Sequence, residues 1–354
     1  MKIEKNNPIK VLIIDDSAFI RQFLSEIFAA TDDIQVLAAV SDPTKAIKLL
    51  KEQEPDVITL DVEMPNMDGL EFLRYLMRFK PTPVVMISSW TSQNSEVALK
   101  ALSLGAVDYV AKPTIGYREG MTEIKNAIIS KVKAAAVARV NKVPLVREDF
   151  SSLHHTDHGD LVQTTDKIIT IGASTGGTVA LTEIFKHLLP STPGVIIIQH
   201  MPGMFTASFA SSLQKVSRIR VSEAKGGEQI SSGQALLVPG GKSLTIKKSG
   251  AKYVVDVGLP TDHSIYNPSI NRTFCSIAET AGANAMGIIL TGMGNDGAEG
   301  LKAMRARGAY TIAQDQKTSV IYGMPQKAWE NGAAVKQVPL DKVAAEIHRW
   351  AGIE

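Results

Sequence analysis

The chain has 354 residues, of which 44% are hydrophobic and 21% charged, and its net charge is +2. This length corresponds to about two domains, and the composition excludes wholesale disorder and collagen-like repeats. The longest strictly apolar runs, Val36–Val40 and Ala134–Ala138, are five residues long, whereas a membrane-spanning helix needs about 20. The small net charge argues against a nucleic-acid-binding protein.

The N-terminal segment has neither an apolar core nor a small-residue cleavage site, so it predicts no signal peptide. The single cysteine, Cys275, excludes an internal disulfide and a zinc site built from cysteines. We therefore expect a soluble, cytoplasmic protein that does not enter a membrane.

The first half of the chain alternates short β-branched runs with segments of helical period, such as Phe19–Phe28 and Lys45–Lys51. This alternation is typical of a doubly wound parallel sheet. The predicted strands are Val11–Ile14, Val36–Val40, Val57–Leu60, Val84–Ile87 and Tyr109–Ala111.

A helix with one apolar face is predicted from about Glu119 to Val140. Residues 141–165 lack periodicity and are rich in Ser, Thr, Asp and His, which is typical of an exposed linker. The predicted organisation is a first domain at 8–130, a helix end and linker at 131–165, and a second domain at 166–354.

The linker contains His154, His155 and His158, which could bind a metal ion, although a solvated linker is the simpler interpretation. The first 130 residues have a net charge of −4, and residues 166–354 have +5. The two halves could dock electrostatically, or their charges could differ by chance.

The second half repeats the alternation of strands and helices, so we predict a second α/β domain. A hairpin is predicted over Ser243–Val257, turning at Ser249-Gly250. The predicted strands are Lys167–Ile171, Val195–Gln199, Ala235–Val238, Met286–Leu290 and Tyr310–Ala313, and the predicted helices are Thr178–His187, Pro268–Thr280, Ala298–Arg307 and Leu340–Ala351.

Polar residues follow the strands of the first domain, at the sheet edge where open parallel sheets place their sites. They are Asp15 and Asp16, Asp61, Ser88 and Lys112. Converging carboxylates need a proton, a lysine or a metal, and an all-oxygen site suits Mg²⁺. A carboxylate beside Mg²⁺, a hydroxyl and a lysine can accept a phosphoryl group. The competing interpretation is that the acidic residues only cap helices.

These positions, together with Asp61-Val-Glu-Met-Pro-Asn-Met-Asp-Gly69 and Lys112-Pro113, resemble a two-component receiver domain over residues 8–130. The resemblance implies a flavodoxin-like fold with a five-stranded parallel sheet and a phosphorylated Asp61. It also implies a Mg²⁺ site of Asp15, Asp16, Asp61 and the Glu63 backbone carbonyl, phosphoryl contacts from Ser88 and Lys112, and Tyr109 as the switching aromatic. Ser88 stands where many receivers have Thr.

In the second domain, a predicted strand runs into Gly172-Ala-Ser174-Thr-Gly176 and then a helix. G-x-S-x-G between a strand and a helix is the context of a nucleophile elbow. A Gly-rich turn with a capping serine and a phosphate loop are the alternatives. No Lys-Ser/Thr follows the glycines, so a Walker motif is excluded.

A general base and its orienting carboxylate are also present at strand ends. Of the seven histidines, His200 alone directly follows a predicted strand, and Asp296 follows Met286–Leu290. The order Ser174, His200, Asp296 differs from that of α/β-hydrolases, in which the Asp precedes the His.

Gly292-Met-Gly294-Asn-Asp-Gly297 also fits G-x-G-x-x-G, and Asp315 follows at nearly the dinucleotide-binding spacing. However, Asp296 would place a carboxylate where a pyrophosphate must bind. The chain after Gly297 is also too short for a dinucleotide half and its partner.

Taken together, the chain resembles the chemotaxis protein-glutamate methylesterases, the CheB family. The resemblance is carried by Ile-Gly-Ala-Ser-Thr-Gly-Gly, Gln199-His200-Met201-Pro202, Val238-Pro-Gly-Gly and Thr291-Gly-Met-Gly-Asn-Asp-Gly. It implies Ser174 as nucleophile, His200 as base and Asp296 as its orienter, with the Met293 backbone amide as oxyanion donor and that of Thr175 as a second candidate.

Two departures concern substrate preference more than catalysis. Lys242-Ser243 stands where many relatives have His, and Asn271 stands where an acidic residue is common.

The resemblance implies a phosphorylation-activated hydrolase that demethylates glutamate methyl esters on chemoreceptors, releases methanol and also deamidates glutamines. Its partners would be chemoreceptors and a chemotaxis-type histidine kinase, and its cofactor Mg²⁺ in the receiver; we expect a monomer and no cofactor for ester hydrolysis. In the unphosphorylated state the receiver would cover the serine cleft. The alternative is a non-enzymatic phospho-switch that sequesters a receptor or kinase.

Overall fold

The computed structural model describes residues 7–65, 67–88, 92–112, 121–140, 167–260 and 267–353. They belong to two compact units, Met1–Arg147 and Glu148–Glu354. Most of the predicted linker lies outside the described residues, as do its histidines, so the domain boundaries stay a prediction. Among the described helices, none is both long and apolar enough to cross a membrane.

The first unit alternates strands and helices along the chain. Its elements are β1 (Ile9–Ile14), α1 (Ala18–Ala29), β2 (Ile34–Val40), α2 (Pro43–Glu52), β3 (Val57–Asp61), α3 (Gly69–Phe79), β4 (Val84–Ser88), α4 (Ser92–Ser103), β5 (Asp108–Ala111) and α5 (Met121–Ala136).

Within the described residues these strands form a parallel sheet of order β2-β1-β3-β4-β5. β3 and β4 are buried along their full length, as expected for a sheet covered by helices on both faces. Side chains cap the three helices that follow the first strands: Ser17 on α1, Asp42 on α2 and Asp68 on α3. The predicted flavodoxin-like fold is confirmed.

The second unit is larger and has two sheets. Its elements are β6 (Ile168–Ala173), α6 (Gly177–Phe185), β7 (Gly194–Gln199), α7 (Gly203–Val216), β8 (Arg220–Glu223), β9 (Gln234–Leu237), β10 (Ser243–Ser249), β11 (Lys252–Gly258), α8 (Ile270–Ala281), β12 (Ala285–Ile289), α9 (Ala298–Ala306), β13 (Tyr310–Gln314), α10 (Met324–Glu330), β14 (Lys336–Val338) and α11 (Val343–Ala351).

In the part of this unit that the structure describes, seven parallel strands have the order β14-β13-β12-β6-β7-β9-β8. The chain leaves β6 towards β7 on one side and later returns to β12 on the other. The strand order therefore reverses at β6, and ligands bind at such a switch point. β10 and β11 form the predicted hairpin, which is bonded to α8 because Ile246 N donates to Ser276 Oγ at 2.9 Å. The predicted doubly wound α/β domain is confirmed.

Several predicted bounds need correction. The hairpin turns at Gly250-Ala251, one residue later than predicted, because Ser249 still pairs with Lys252. The helix expected from Pro268 begins at Ile270, where Ser269 caps it. The helix expected from Leu340 starts as a 3-10 turn over Leu340–Lys342 before α11. The first unit's last helix, expected to reach Val140, ends at Ala136.

Candidate functional sites

The acidic residues of the first unit meet at the carboxyl edge of its sheet. Asp61 is the last residue of β3, Asp15 follows β1, and Lys112 follows β5. Lys112 Nζ lies 2.6 Å from Asp61 Oδ2 and 3.0 Å from Asp15 Oδ2. Both carboxylates are almost fully buried, while Asp16 is exposed. The structure therefore brings together the predicted acidic pair and its lysine.

Burial makes this pair of carboxylates hard to ionise. Burial and the charge of Asp15 raise the pKa of Asp61 to about 7, against the opposing effect of Lys112. Burial likewise raises the pKa of Asp15, although Lys112 opposes it. One lysine does not fully balance two buried carboxylates, so a further cation would stabilise their charged forms.

The donor set of this site suits a hard divalent cation. Asp15, Asp16 and Asp61 each offer a carboxylate oxygen, and these oxygens lie within 4.8 Å of one another. Among the described residues, Asp15 Oδ2 has no partner other than Lys112 Nζ, which lies 3.0 Å away. Glu63 follows β3, and its N–H donates to Asp61 Oδ1 at 3.4 Å. An all-oxygen set of this kind fits Mg²⁺.

The two remaining residues predicted for this site lie on β4 and β5. Ser88 is buried at the end of β4, one position beyond the residue that pairs with Asp61, and its carbonyl accepts the Lys112 N–H at 2.7 Å. Tyr109 is buried on β5, with Lys131 Nζ 4.9 Å from its ring centroid. The aromatic ring therefore points inward in this structure.

In the second unit, three polar residues follow the adjacent strands β12, β6 and β7. His200 Nδ1 lies 3.2 Å from Ser174 Oγ, and His200 Nε2 lies 2.8 Å from Asp296 Oδ2. The hydroxyl, the imidazole and the carboxylate thus form one hydrogen-bonded chain across the switch point. Since a carboxylate accepts, the proton of neutral His200 belongs on Nε2, and the Nδ1 lone pair faces the serine.

Asp296 is held by the first turn of α8. Its carboxylate accepts the Ile270 N–H at 2.8 Å and the Asn271 N–H at 2.9 Å. Burial raises the pKa of Asp296, but hydrogen bonds from His200 and from these two amides outweigh it and hold the pKa below its ordinary value. Asp296 is therefore a fixed anion beside the imidazole.

The serine lies in a tight turn between β6 and α6. Gly176 has a φ of +78°, a conformation that favours glycine, and it precedes the first residue of α6. The Ser174 N–H donates to the Thr291 carbonyl at 3.0 Å, which joins this turn to the loop after β12. Gly292 lets that loop approach, because a Cβ at this position would lie 2.7 Å from Ser174 Cβ.

Two backbone amides were predicted to stabilise an oxyanion. The N–H of Met293 donates to no acceptor among the described residues, and it belongs to the loop that contacts the serine. Thr175 follows the serine directly, and its carbonyl accepts from Thr291 Oγ1 at 3.0 Å. Both roles stay predictions.

The two departures from the family pattern differ in their surroundings. Asn271 Oδ1 accepts the Gly300 N–H at 2.8 Å, so its side chain joins α8 to α9 beside Asp296. Lys242 is exposed in the loop before β10. The predictions missed Gln199, whose buried side chain bonds to the elbow; its polarity at the end of an otherwise apolar strand was the available signal.

Comparisons with known proteins identify the family of both units. The CheB methylesterase family profile matches residues 169–347, and the response regulator receiver domain profile matches residues 11–124. A Nitrosomonas europaea relative named protein-glutamate methylesterase/protein-glutamine glutaminase is 46% identical over 346 residues, which are 96% of this chain and 95% of the relative. A Pseudomonas aeruginosa relative with the same name, numbered 2, is 46% identical over 348 residues, or 97% of each chain.

One solved structure resembles the second unit. The Thermotoga maritima CheB methylesterase catalytic domain is 32% identical and matches with a TM-score of 0.51. The match covers 52% of this chain and 98% of that domain.

Proposed function

The chain belongs to the CheB methylesterase family, and we propose that Ser174, His200 and Asp296 carry out its reaction. It is a protein-glutamate methylesterase with a receiver domain, and its relatives are also named glutaminases. The observation that supports the residue assignment is the continuous chain of hydrogen bonds from Ser174 Oγ through His200 to Asp296.

In the proposed first step, Ser174 Oγ attacks the side-chain carbonyl of a methylated glutamate while His200 Nδ1 accepts the hydroxyl proton. Asp296 keeps the proton on Nε2 and stabilises the imidazolium that forms. Methanol then leaves with the proton from His200, and an acyl-enzyme remains. Water, activated by the same imidazole, hydrolyses the acyl-enzyme to glutamate.

The developing oxyanion needs donors near Ser174. The Met293 N–H is the proposed donor, because its loop packs against the serine, and the Thr175 N–H is a second candidate. Donors of this type contribute about 3 kcal/mol each to transition-state stabilisation. Glutamine deamidation would follow the same course, with ammonia in place of methanol.

The receiver domain supplies the control. Asp61 is the proposed phosphoryl acceptor, with Lys112 paired to it and Ser88 at the next strand end. Asp15, Asp16, Asp61 and the Glu63 carbonyl would hold Mg²⁺, which would neutralise charge on the phosphoryl group when bound. Tyr109 is the proposed switching aromatic. A chemotaxis-type histidine kinase would be the phosphodonor and chemoreceptors the substrate, so the protein would act in the cytoplasm.

Methanol release from methylated receptor membranes, with and without Mg²⁺ and acetyl phosphate, tests the proposal. We expect release that rises with the phosphodonor, disappears in Ser174→Ala and loses its stimulation in Asp61→Asn. Absence of release from folded protein with several receptors would contradict it. A signalling effect that survives Ser174→Ala would indicate a sequestering switch instead.

A further inference from the structure

The Gln199 side chain, at the end of β7, lies between the backbones of the nucleophile and the base. It is only 3% exposed. Its Nε2 donates to the Ser174 carbonyl oxygen at 2.9 Å and to the carbonyl oxygen of the next residue in the chain, His200, at 3.2 Å. One side-chain amide thus donates to the backbone of both residues that form the hydroxyl–imidazole pair.

These two bonds lie where the backbone pairing between β6 and β7 ends. Ala173 and Gln199 are the last paired residues of β6 and β7, and the His200 N–H still donates to the Ala173 carbonyl at 3.0 Å. Beyond this point the two chains diverge towards α6 and α7. The amide of Gln199 carries two N–H donors, and so it can bridge the two diverging carbonyls.

The side chain occupies its position at an energetic cost. Gln199 Oε1 is buried and has no hydrogen-bond partner in the described part of the chain, and a buried acceptor without a partner destabilises the folded state. Gly177 makes room for this oxygen, because a Cβ there would lie 2.3 Å from it. The two hydrogen bonds from Nε2 to the Ser174 and His200 carbonyls are therefore the contribution of this side chain to the site.

We propose that Gln199 is a positioning residue that fixes the nucleophile relative to the base; this rests on the proposed function of Ser174 and His200. The Ser174 Oγ to His200 Nδ1 separation is 3.2 Å, and an error of about 1 Å in such a geometry can cost roughly 100-fold in rate. Without the bridge, the His200 N–H bond to the Ala173 carbonyl would still join the strand ends, but the Ser174 carbonyl would lose its link to the chain after β7.

The test compares Gln199→Met with Gln214→Met in the full chain. Methionine keeps the length of the side chain and removes the donor. Gln214 is a matched control because its side-chain amide also bridges two backbone groups, those of Ile219 and Val221, but it bonds neither to Ser174 and His200 nor to the loop after β12. The measurements are methanol release over a range of receptor concentrations and the rate of serine labelling by a fluorophosphonate.

We expect Gln199→Met to lower kcat and the labelling rate by about 10- to 100-fold, in line with the rate cost of misplaced groups, with KM unchanged within about twofold. Gln214→Met should lose stability with a much smaller loss of kcat. Wild-type kcat and labelling in folded Gln199→Met, or an equal loss in the control, would overturn the proposal.

A second variant keeps the test decisive if Gln199→Met does not fold. Gln199→Glu retains the size of the side chain, but between two carbonyls its buried carboxyl group is protonated and offers one donor instead of two. It can bond only one of the two carbonyls, so it should show a loss of the same kind, smaller than that of Gln199→Met. If neither folds, the side-chain amide protons of Gln199 in the wild-type protein should exchange slowly with solvent; rapid exchange would overturn the proposal. Absence of both labelling and methanol release from the wild type would instead contradict the proposed function.

Discussion

The Asp296 carboxylate both orients His200 and accepts the first amides of α8. These tasks belong to one side chain because the loop after β12 and the N-terminus of α8 meet beside the imidazole. A change that removes the charge therefore affects catalysis and helix docking together.

Asp296→Asn should lower kcat by about 10³- to 10⁴-fold, as the loss of the orienting carboxylate does in other Ser-His-Asp enzymes. It places an NH₂ group where three N–H donors now converge, so stability should also fall by about 1–3 kcal/mol. Methanol release and urea unfolding measure the two effects. Asp341→Asn, at an exposed carboxylate, is the control, and an Asp296→Asn variant with near-normal kcat would contradict the assigned role.

Asp61 makes the stability of the first unit depend on pH. Because its folded pKa of about 7 exceeds the ordinary 3.8, the native state binds more protons than the unfolded chain between these values. Stability must then fall as the pH rises from about 4 to 7.

Asp61→Asn removes this penalty, so in a chelator the variant should be more stable than the wild type above pH 7. At about 1.4 kcal/mol per pKa unit, and allowing for the Lys112 charge left with one partner fewer, we expect a gain of roughly 1–3 kcal/mol. The gain should shrink towards pH 4. The measurement is chemical unfolding at pH 5 and pH 8, with the surface variant Asp33→Asn as a charge control. A difference in unfolding free energy between Asp61→Asn and the wild type that did not change with pH would refute this expectation.

At the scale of elements, the serine turn and the loop after β12 are packed backbone to backbone. A Cβ on Gly292 would lie 2.7 Å from Ser174 Cβ and 2.4 Å from Met324 Sδ. Gly292 does not have a positive φ. A glycine is therefore needed here because the two loops approach closely, and backbone conformation is not the reason.

Gly292→Ala should displace the proposed oxyanion loop and lower kcat at least tenfold, with an overpacking cost of about 1–3 kcal/mol. Gly258→Ala is the matched control, because a Cβ there meets no atom within 4 Å. Both variants are measured by methanol release and thermal unfolding. Equal kcat and stability in Gly292→Ala and Gly258→Ala would contradict the expectation.

At the scale of the whole molecule, the question is how the first unit controls the second. The second unit has its own buried core, so we expect a fragment without residues 1–165 to fold. Its basal methanol release should rise several-fold if the receiver covers the serine cleft. Lower or unchanged release from the folded fragment would remove the covering hypothesis.

The local pattern of this sequence determined the strands that carry the sites. β1, β3, β4, β6, β7 and β12 were all predicted, because buried parallel strands are apolar runs that end abruptly. Asp61 and His200 follow from the same rule, since a polar residue directly after such a run lies at the edge of the sheet. Ser174 was predicted instead from the G-x-S-x-G motif between a strand and a helix.

Other elements were not predicted. α7 has a helical pattern, with Phe205, Phe209 and Leu213 buried on one face, which the sequence analysis overlooked among its small residues. In contrast, β8 and β14 are short edge strands of four and three residues with no local signal. Tertiary packing forms them, so the sequence analysis did not predict them.

The two α/β units, their strand ends and the residue types placed there can thus be predicted from the chain, because they depend on local periodicity. The fold alone shows that β12, β6 and β7 are neighbours, that His200 turns Nδ1 to the serine, and that α8 and Gln199 hold the site. Those facts depend on strand order and on contacts between residues distant in the chain, such as Gln199 with Ser174 and Asp296 with Ile270. No local pattern encodes which distant backbone groups remain to be hydrogen-bonded once the sheet has formed.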